Sequence, residues 1–418
     1  MRSAIPAIAI ACALATPGIA LRVTGTHIDT VPDTMLFGLT IVAAAFLLAW
    51  AAEAAEVDIS QALAVAFIAF VAVLPEYAVD LTFAWKAGDD PEFARFAVAN
   101  MTGANRLLIG VGWSSVFLIF WLRTRGRVLR LRAGNALDVV ALGAASLYSL
   151  TIPLKGSISL VDTAVMATIF AVYIYGVSRA HGEAPELVGP ARWLGGLPKT
   201  QRRSANAAIF VYAAIAIVAS AERFAEGLVE SGSELGIDEF LLVQWLAPLA
   251  SEAPEFLIAG ILAFRGRATV AMAALLSSKV NQWTLLLGSL PIAFGLSGDT
   301  LGGLPLDARQ REEVFLTAAQ SMFAVAVFTN LRLSRYEAMA LFGLFMLQFV
   351  IPITEVRVAI GVIYLVLAVA IFVRQPAAVR EIVRWALLAL RDPARVTAAG
   401  VEGGPGGRGG GSERGDGP

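Results

Sequence analysis

The sequence predicts an all-α polytopic membrane protein: about twelve transmembrane helices, ten of them forming two inverted five-helix repeats around a site at the bilayer midplane. Three observations carry this. The 418 residues are 57% apolar and 16% charged, with a mean hydropathy of +0.71, and the charges fall in short intervals between long apolar runs. The runs have the length of about 20 residues that a hydrocarbon core of about 30 Å demands. Two Pro-Glu steps, Pro75-Glu76 and Pro254-Glu255, sit deep inside such runs at matching places in the two halves.

Taken in order, residues 1–34 hold an apolar segment at 5–23 and an extracytoplasmic linker. The segment reads as an extra helix or as a signal peptide, because Met1-Arg2 precedes it and Gly18-Ile19-Ala20 ends it. The first repeat, 35–178, has predicted spans at 35–55, 59–85, 93–121, 136–152 and 161–177. A cytoplasmic linker follows at 179–204. The second repeat, 205–355, has predicted spans at 205–229, 240–264, 269–294, 314–331 and 338–353, and one further helix falls within 356–375. Residues 376–398 read as an amphipathic cytoplasmic helix, and the Gly-rich stretch 399–418 as a disordered tail.

Arginine sets the orientation. Arg123, Arg125, Arg127, Arg130 and Arg132 crowd one loop, and Arg179, Arg192, Lys199, Arg202 and Arg203 another, two spans later. Both are expected in the cytoplasm, with Arg265, Arg267, Arg332, Arg335, Arg374 and Arg380, while Asp89, Asp90 and Asp299 face outside. With about twelve spans the C-terminus is cytoplasmic, and the arginine-rich bias suits a prokaryotic inner membrane.

Several function classes lose their parts. A formal net charge of -1 leaves no basic field for nucleic acid, and a lone cysteine, Cys12, allows no intrachain disulfide. His27 and His181 both fall in connecting segments, so a histidine metal centre is missing. No HExxH, GxSxG or Walker A run is present, which argues against an enzyme, and nothing calls for a cofactor.

A carboxylate near the middle of a membrane span costs roughly 2.5 to 3.5 kcal/mol by insertion scales, and an adjacent proline frees backbone carbonyls. Two such steps about 180 residues apart, in halves with an odd number of spans each, imply an inverted pair meeting at the midplane. That pattern points to ion transport. Asp80, one turn from Glu76 on the same helix face, is a candidate for the access path or for a proton.

At these residues the chain resembles the cation/calcium exchanger superfamily, the sodium/calcium exchanger membrane-region family. The first repeat reads Asp58-Ile59-Ser60, then Val71-Ala72-Val73-Leu74-Pro75-Glu76, then Gly103-Ala104-Asn105. The second reads Gly236-Ile237-Asp238, then Ala250-Ser251-Glu252-Ala253-Pro254-Glu255, then Ser277-Ser278-Lys279. The resemblance implies a secondary active cation antiporter working by alternating access, with Glu76, Glu255, Asn105, Glu252 and Ser251 binding the ion. If that ion is calcium or sodium, Glu76 and Glu255 are its metal ligands. The implied partners are inorganic cations (sodium, proton or calcium) and the lipid bilayer; the oligomeric state is left open.

The departures matter as much. Ala72 and Val73 replace a hydroxyl pair, Glu252 replaces a serine, and Lys279 stands where an amide or carboxylate is expected. Calcium takes six to eight hard oxygen ligands, and an ammonium supplies none. Lys279, too deep to snorkel, is therefore expected to pair with Glu252 or Glu255, which favours exchange of a monovalent cation or proton. The alternatives are calcium/sodium or calcium/proton exchange and, further off, a membrane scaffold or sensor that has kept a transporter fold.

Overall fold

The computed structural model of the chain describes residues 4–58, 73–179, 187–393 and 395–396. The first half of the span predicted at 59–85, the loop containing His181 and the tail at 399–418 lie outside the described residues.

The first half of the chain contains α1 (Ala4–Thr24), α2 (Thr30–Ala55), α3 (Leu74–Asp89), α4 (Ala94–Leu107), α5 (Ser114–Thr124), α6 (Ala136–Ser149), the single turn α7 (Ile152–Lys155) and α8 (Leu160–Arg179). After the short α9 (Gly189–Gly195) come α10 (Lys199–Leu235), α11 (Glu239–Phe264), α12 (Ala268–Asn281), α13 (Leu287–Ser297), α14 (Ala308–Phe328) and α15 (Arg335–Val350). Two more helices, α16 (Thr354–Arg374) and α17 (Pro376–Arg391), close the described chain. Among the described residues, eight helical stretches are long and apolar enough to cross a membrane by themselves, against about twelve expected. The remaining four predicted spans still form helices. α3 is described only from Leu74, α12 carries polar site residues, α14 holds buried charges and α15 has 16 residues.

The repeats correspond helix by helix. In each, a helix ends in a π-helical turn, Leu108–Trp113 after α4 and Gln282–Leu286 after α12, and continues as α5 or α13. They differ at the Pro-Glu step. α11 runs unbroken through Pro248 and Pro254, whereas α3 begins at Leu74 with Pro75 and Glu76 in its first turn. Proline fits a first turn because its missing N–H has no partner there anyway. This start therefore leaves the positive end of a helix dipole beside the first carboxylate.

The loops sort onto two faces. At the arginine-rich face, β1 (Val128–Arg130) pairs antiparallel with β4 (Arg332–Ser334), and Asp58 accepts from Arg202 at 2.7 and 2.8 Å and from Arg203 at 3.2 Å. At the other face β2 (Ser157–Ile158) pairs with β3 (Leu304–Pro305), and Lys86 pairs with Glu226 and Glu222, the latter also held by Arg22. Each strand pair joins one repeat to the other across the same end of the bundle. This is the arrangement that inverted copies with the predicted sidedness require.

Buried charge also ties the bundle together. Arg106 on α4 meets Glu313 on α14 at 2.5 Å, and Glu313 pairs in turn with Arg357 on α16; none of the three side chains is more than 2% exposed. Gln348 accepts from Arg106 at 3.2 Å and Gln320 donates to the Arg106 carbonyl at 3.2 Å. Such groups tolerate burial only because they are paired.

Candidate functional site

The site forms where α3 and α4 of the first repeat face α11 and α12 of the second. Close approach begins with glycine: a Cβ on Gly103 would collide with the Gln244 carbonyl, so α4 lies directly against α11. That contact carries Asn105 across to α12. Lys279 Nζ donates to Asn105 Oδ1 at 2.6 Å, and these are the equivalent positions of the two repeats. Asn105 also donates to the Met101 carbonyl at 2.7 Å.

Three carboxylates lie around this bridge. Glu76 and Glu252 are fully buried and Glu255 is half-buried, and Glu76 lies within electrostatic reach of both others. Both Glu76 oxygens and Oε2 of Glu252 have no hydrogen-bond partner among the described residues. Glu252 Oε1 accepts from Gln282 Nε2 at 2.9 Å, and Glu255 Oε1 accepts from Ser278 Oγ at 3.2 Å. Buried oxygens without donors are rare in a folded protein, and they mark a place where something else donates or coordinates. Among the described residues no three acidic, histidine or cysteine side chains stand close enough to hold a metal ion as placed.

One expectation is corrected by this geometry. Lys279 is not paired with Glu252 or Glu255. Its side-chain nitrogen is held by Asn105 and lies 4.6 Å from the centroid of the Trp283 ring, a contact that replaces the carboxylate partner. The Asn105 carbonyl is thereby engaged by a side chain. Ser251 donates its hydroxyl to the carbonyls of Ala247, at 3.2 Å, and Pro248, at 3.4 Å, because a helical serine reaches its own preceding turn. Asp80 is fully buried, and it accepts from Asn100 Nδ2 at 2.8 Å with Oδ2 left over.

Gln244 and Asn100 join the site without having been singled out, and Gln282, close to Lys279 in the sequence, joins them. Gln282 binds Glu252; Gln244 is fully buried, and neither end of its amide has a partner among the described residues. Glutamine a little over two turns before Glu252 was a visible signal, since i and i+8 fall within one helix face about 100° wide. Asn281 accepts from the Tyr77 hydroxyl at 2.9 Å and so ties α12 to the turn that carries Glu76.

Comparison with known proteins identifies the family of the chain. The family model described as sodium/calcium exchanger protein matches residues 34–179 and 205–354. The chain is similar to a crystal structure of the H+/Ca2+ exchanger CAX, with 44% identity over 92% of this chain and 98% of that one and a TM-score of 0.89. It shares its fold with native YfkE, at 15% identity over 84% of this chain and 98% of that one, with a TM-score of 0.60. It also shares it with the sodium-calcium exchanger NCX_Mj, at 13% identity over 77% and 98%, with a TM-score of 0.51. No curated protein matches the chain. Two matched repeats whose equivalent residues meet at one buried carboxylate cluster place the chain in the sodium/calcium exchanger protein family, as a multi-pass integral membrane cation antiporter.

Proposed function

We propose that the protein exchanges calcium for protons by alternating access, with Glu76, Glu252 and Glu255 holding either the cation or the protons. The observation that carries this reading is the set of three carboxylates from both repeats with no cationic side chain bonded to them among the described residues. Carboxylate oxygens in a dry site need a positive partner, and protons and a divalent cation compete for the same lone pairs. One cation of charge two is balanced by two protons, so exchange preserves the charge of the site. Closing a coordination shell requires α3 and α11 to bring their glutamates nearer than they stand here, which rocking of one repeat against the other supplies.

The reading for a monovalent cation depended on a Lys279–carboxylate pair, and Lys279 sits on Asn105 instead. Sodium exchange is disfavoured because a sodium site is usually completed by neutral oxygens. Ala72 and Val73 offer no hydroxyl. The 44% identity to a protein described as an H+/Ca2+ exchanger supports the same choice. Ser251, Asn105 and Asp80 then shape the site, and the arginine-rich face lies in the cytoplasm of a prokaryotic cell.

Purified protein in liposomes tests the reading. An imposed pH gradient should drive calcium accumulation, and a sodium gradient alone should not. Calcium uptake driven by sodium with no pH gradient, or sodium/proton exchange without calcium, would overturn the ion assignment. Glu76→Gln and Glu255→Gln should each abolish coupled flux while expression stays near normal; full exchange by either variant would move the site elsewhere.

A further inference from the structure

A second line of polar groups leads away from the carboxylates toward the arginine-rich face. It starts at Asn135, half-buried in the turn after the Arg123 to Arg132 loop, whose Nδ2 donates to Asp138 Oδ2 at 3.2 Å. Asp138 is 5% exposed on the first turn of α6. Its Oδ1 accepts from the Tyr173 hydroxyl of α8 at 2.7 Å, and that hydroxyl also meets Ser277 Oγ of α12 at 2.7 Å, where either atom can donate. The next residue on α12, Ser278, donates to Glu255. Ser277 and Ser278 are adjacent residues of α12, and a proton passing from one hydroxyl to the other would need one water to link them.

We propose that Asp138, Tyr173 and Ser277 form a proton path from the arginine-rich face to Glu255, separate from the route by which the cation reaches the carboxylates. The inference rests on the calcium/proton reading above. A helix-capping role accounts for Asp138 and Asn135 but leaves the Tyr173 hydroxyl, 1% exposed and bridging three helices, without a purpose. Packing also restricts what passes. α17 lies across α6 and α8 here, and a methyl group on Gly176 would already run into Leu137 and Leu390. Arg179, the nearest cation along α8, is turned to the Leu390 carbonyl and the Tyr175 hydroxyl, both at 3.0 Å. A hydrated divalent ion does not fit such a seam, whereas a proton moves along it without displacing a heavy atom.

The step balances. As the cation binds, the proton on the Glu255 carboxyl passes to Ser278 Oγ, which releases its own proton through the water to Ser277. Ser277 passes one to Tyr173, and Tyr173 passes one to the Asp138 carboxylate. Each hydroxyl gains and loses one proton; Glu255 ends as carboxylate and Asp138 as acid, which then loses its proton to water beside Asn135.

Isotopic calcium/calcium exchange separates the path from the site, because it needs no net proton transfer. In liposomes, Asp138→Asn and Tyr173→Phe should each lower calcium uptake driven by a pH gradient by about tenfold or more. Both should leave calcium/calcium exchange and the calcium affinity of the purified protein unchanged. Loss of calcium/calcium exchange as well would mean that the residues only support the fold, and undiminished pH-driven uptake would mean that protons travel elsewhere; either overturns the path. If wild-type protein takes up no calcium under a pH gradient, the calcium/proton reading fails and the path with it. Failure of the path alone shows as normal wild-type coupling that both variants keep.

Discussion

Lys279 decides how much negative charge the site presents. Fully buried between Asn105 and the Trp283 ring, its amine lies within electrostatic reach of Glu252 without touching it. Replacing it by Met removes that group and releases the Asn105 carbonyl for an ion. Lys279→Met should therefore tighten calcium binding by about tenfold, roughly 1.4 kcal/mol, measured by titration of the purified protein, and should slow turnover because release becomes harder. Unchanged affinity would reduce Lys279 to a brace between the repeats. Its depth and the two glutamates were legible in the sequence, but its partner was not. A lysine side chain is long enough to reach either an acid on the adjoining helix or an amide across the repeat interface. Only the close approach of α4 to α11 at Gly103 selects the amide.

At the scale of single elements, the end of α2 is fixed to the start of α10 by Asp58, whose carboxyl is held at about 2 by hydrogen bonds from Arg202 and Arg203, against a smaller opposing effect of burial. A carboxylate depressed in the folded protein contributes stability that is fully present above its ordinary value near 3.8 and is lost as the pH falls through about 2. Asp58→Asn should accordingly lower the melting temperature in detergent at pH 5 and above. The difference from wild type should shrink between pH 4 and 2, and a constant difference across that window would show that the ion pair contributes nothing. The packing of α4 on α11 offers a second check. Gly103→Ala places a methyl group against the Gln244 backbone, which cannot rotate aside, so a loss of about 1 to 3 kcal/mol is expected, seen as a lower melting temperature together with reduced flux. Helix positions were largely legible from hydropathy. The start of α3 at Leu74 and the two π-helical turns were not, because proline, glycine and polar residues inside a span are compatible with a continuous helix, as α11 demonstrates.

Across the whole molecule, alternating access by inverted repeats requires the two repeats to have opposite senses in the bilayer. Pairing of β1 with β4 at one end and β2 with β3 at the other already sorts the loops as the arginine count did, with Arg130 beside Arg332 and Asp299 on the far side. That sorting fixes which loops share a face, and arginine bias supplies which face is cytoplasmic. In a Cys12→Ser background, cysteines at the exposed positions Asp89 and Asp299 should react with an impermeant maleimide on intact cells. Cysteines at Arg127 and Arg192, also exposed, should react only after permeabilisation. Reversal of all four would turn the molecule over and keep the inverted repeats, with the proton path then opening outside. Labelling of Asp89 and Arg127 from one side would be a different result. α4 and α5 lie between those two positions as one continuous helical stretch of 34 residues, so the first repeat would not cross the membrane there, and no midplane site could be built from Glu76 and Glu255.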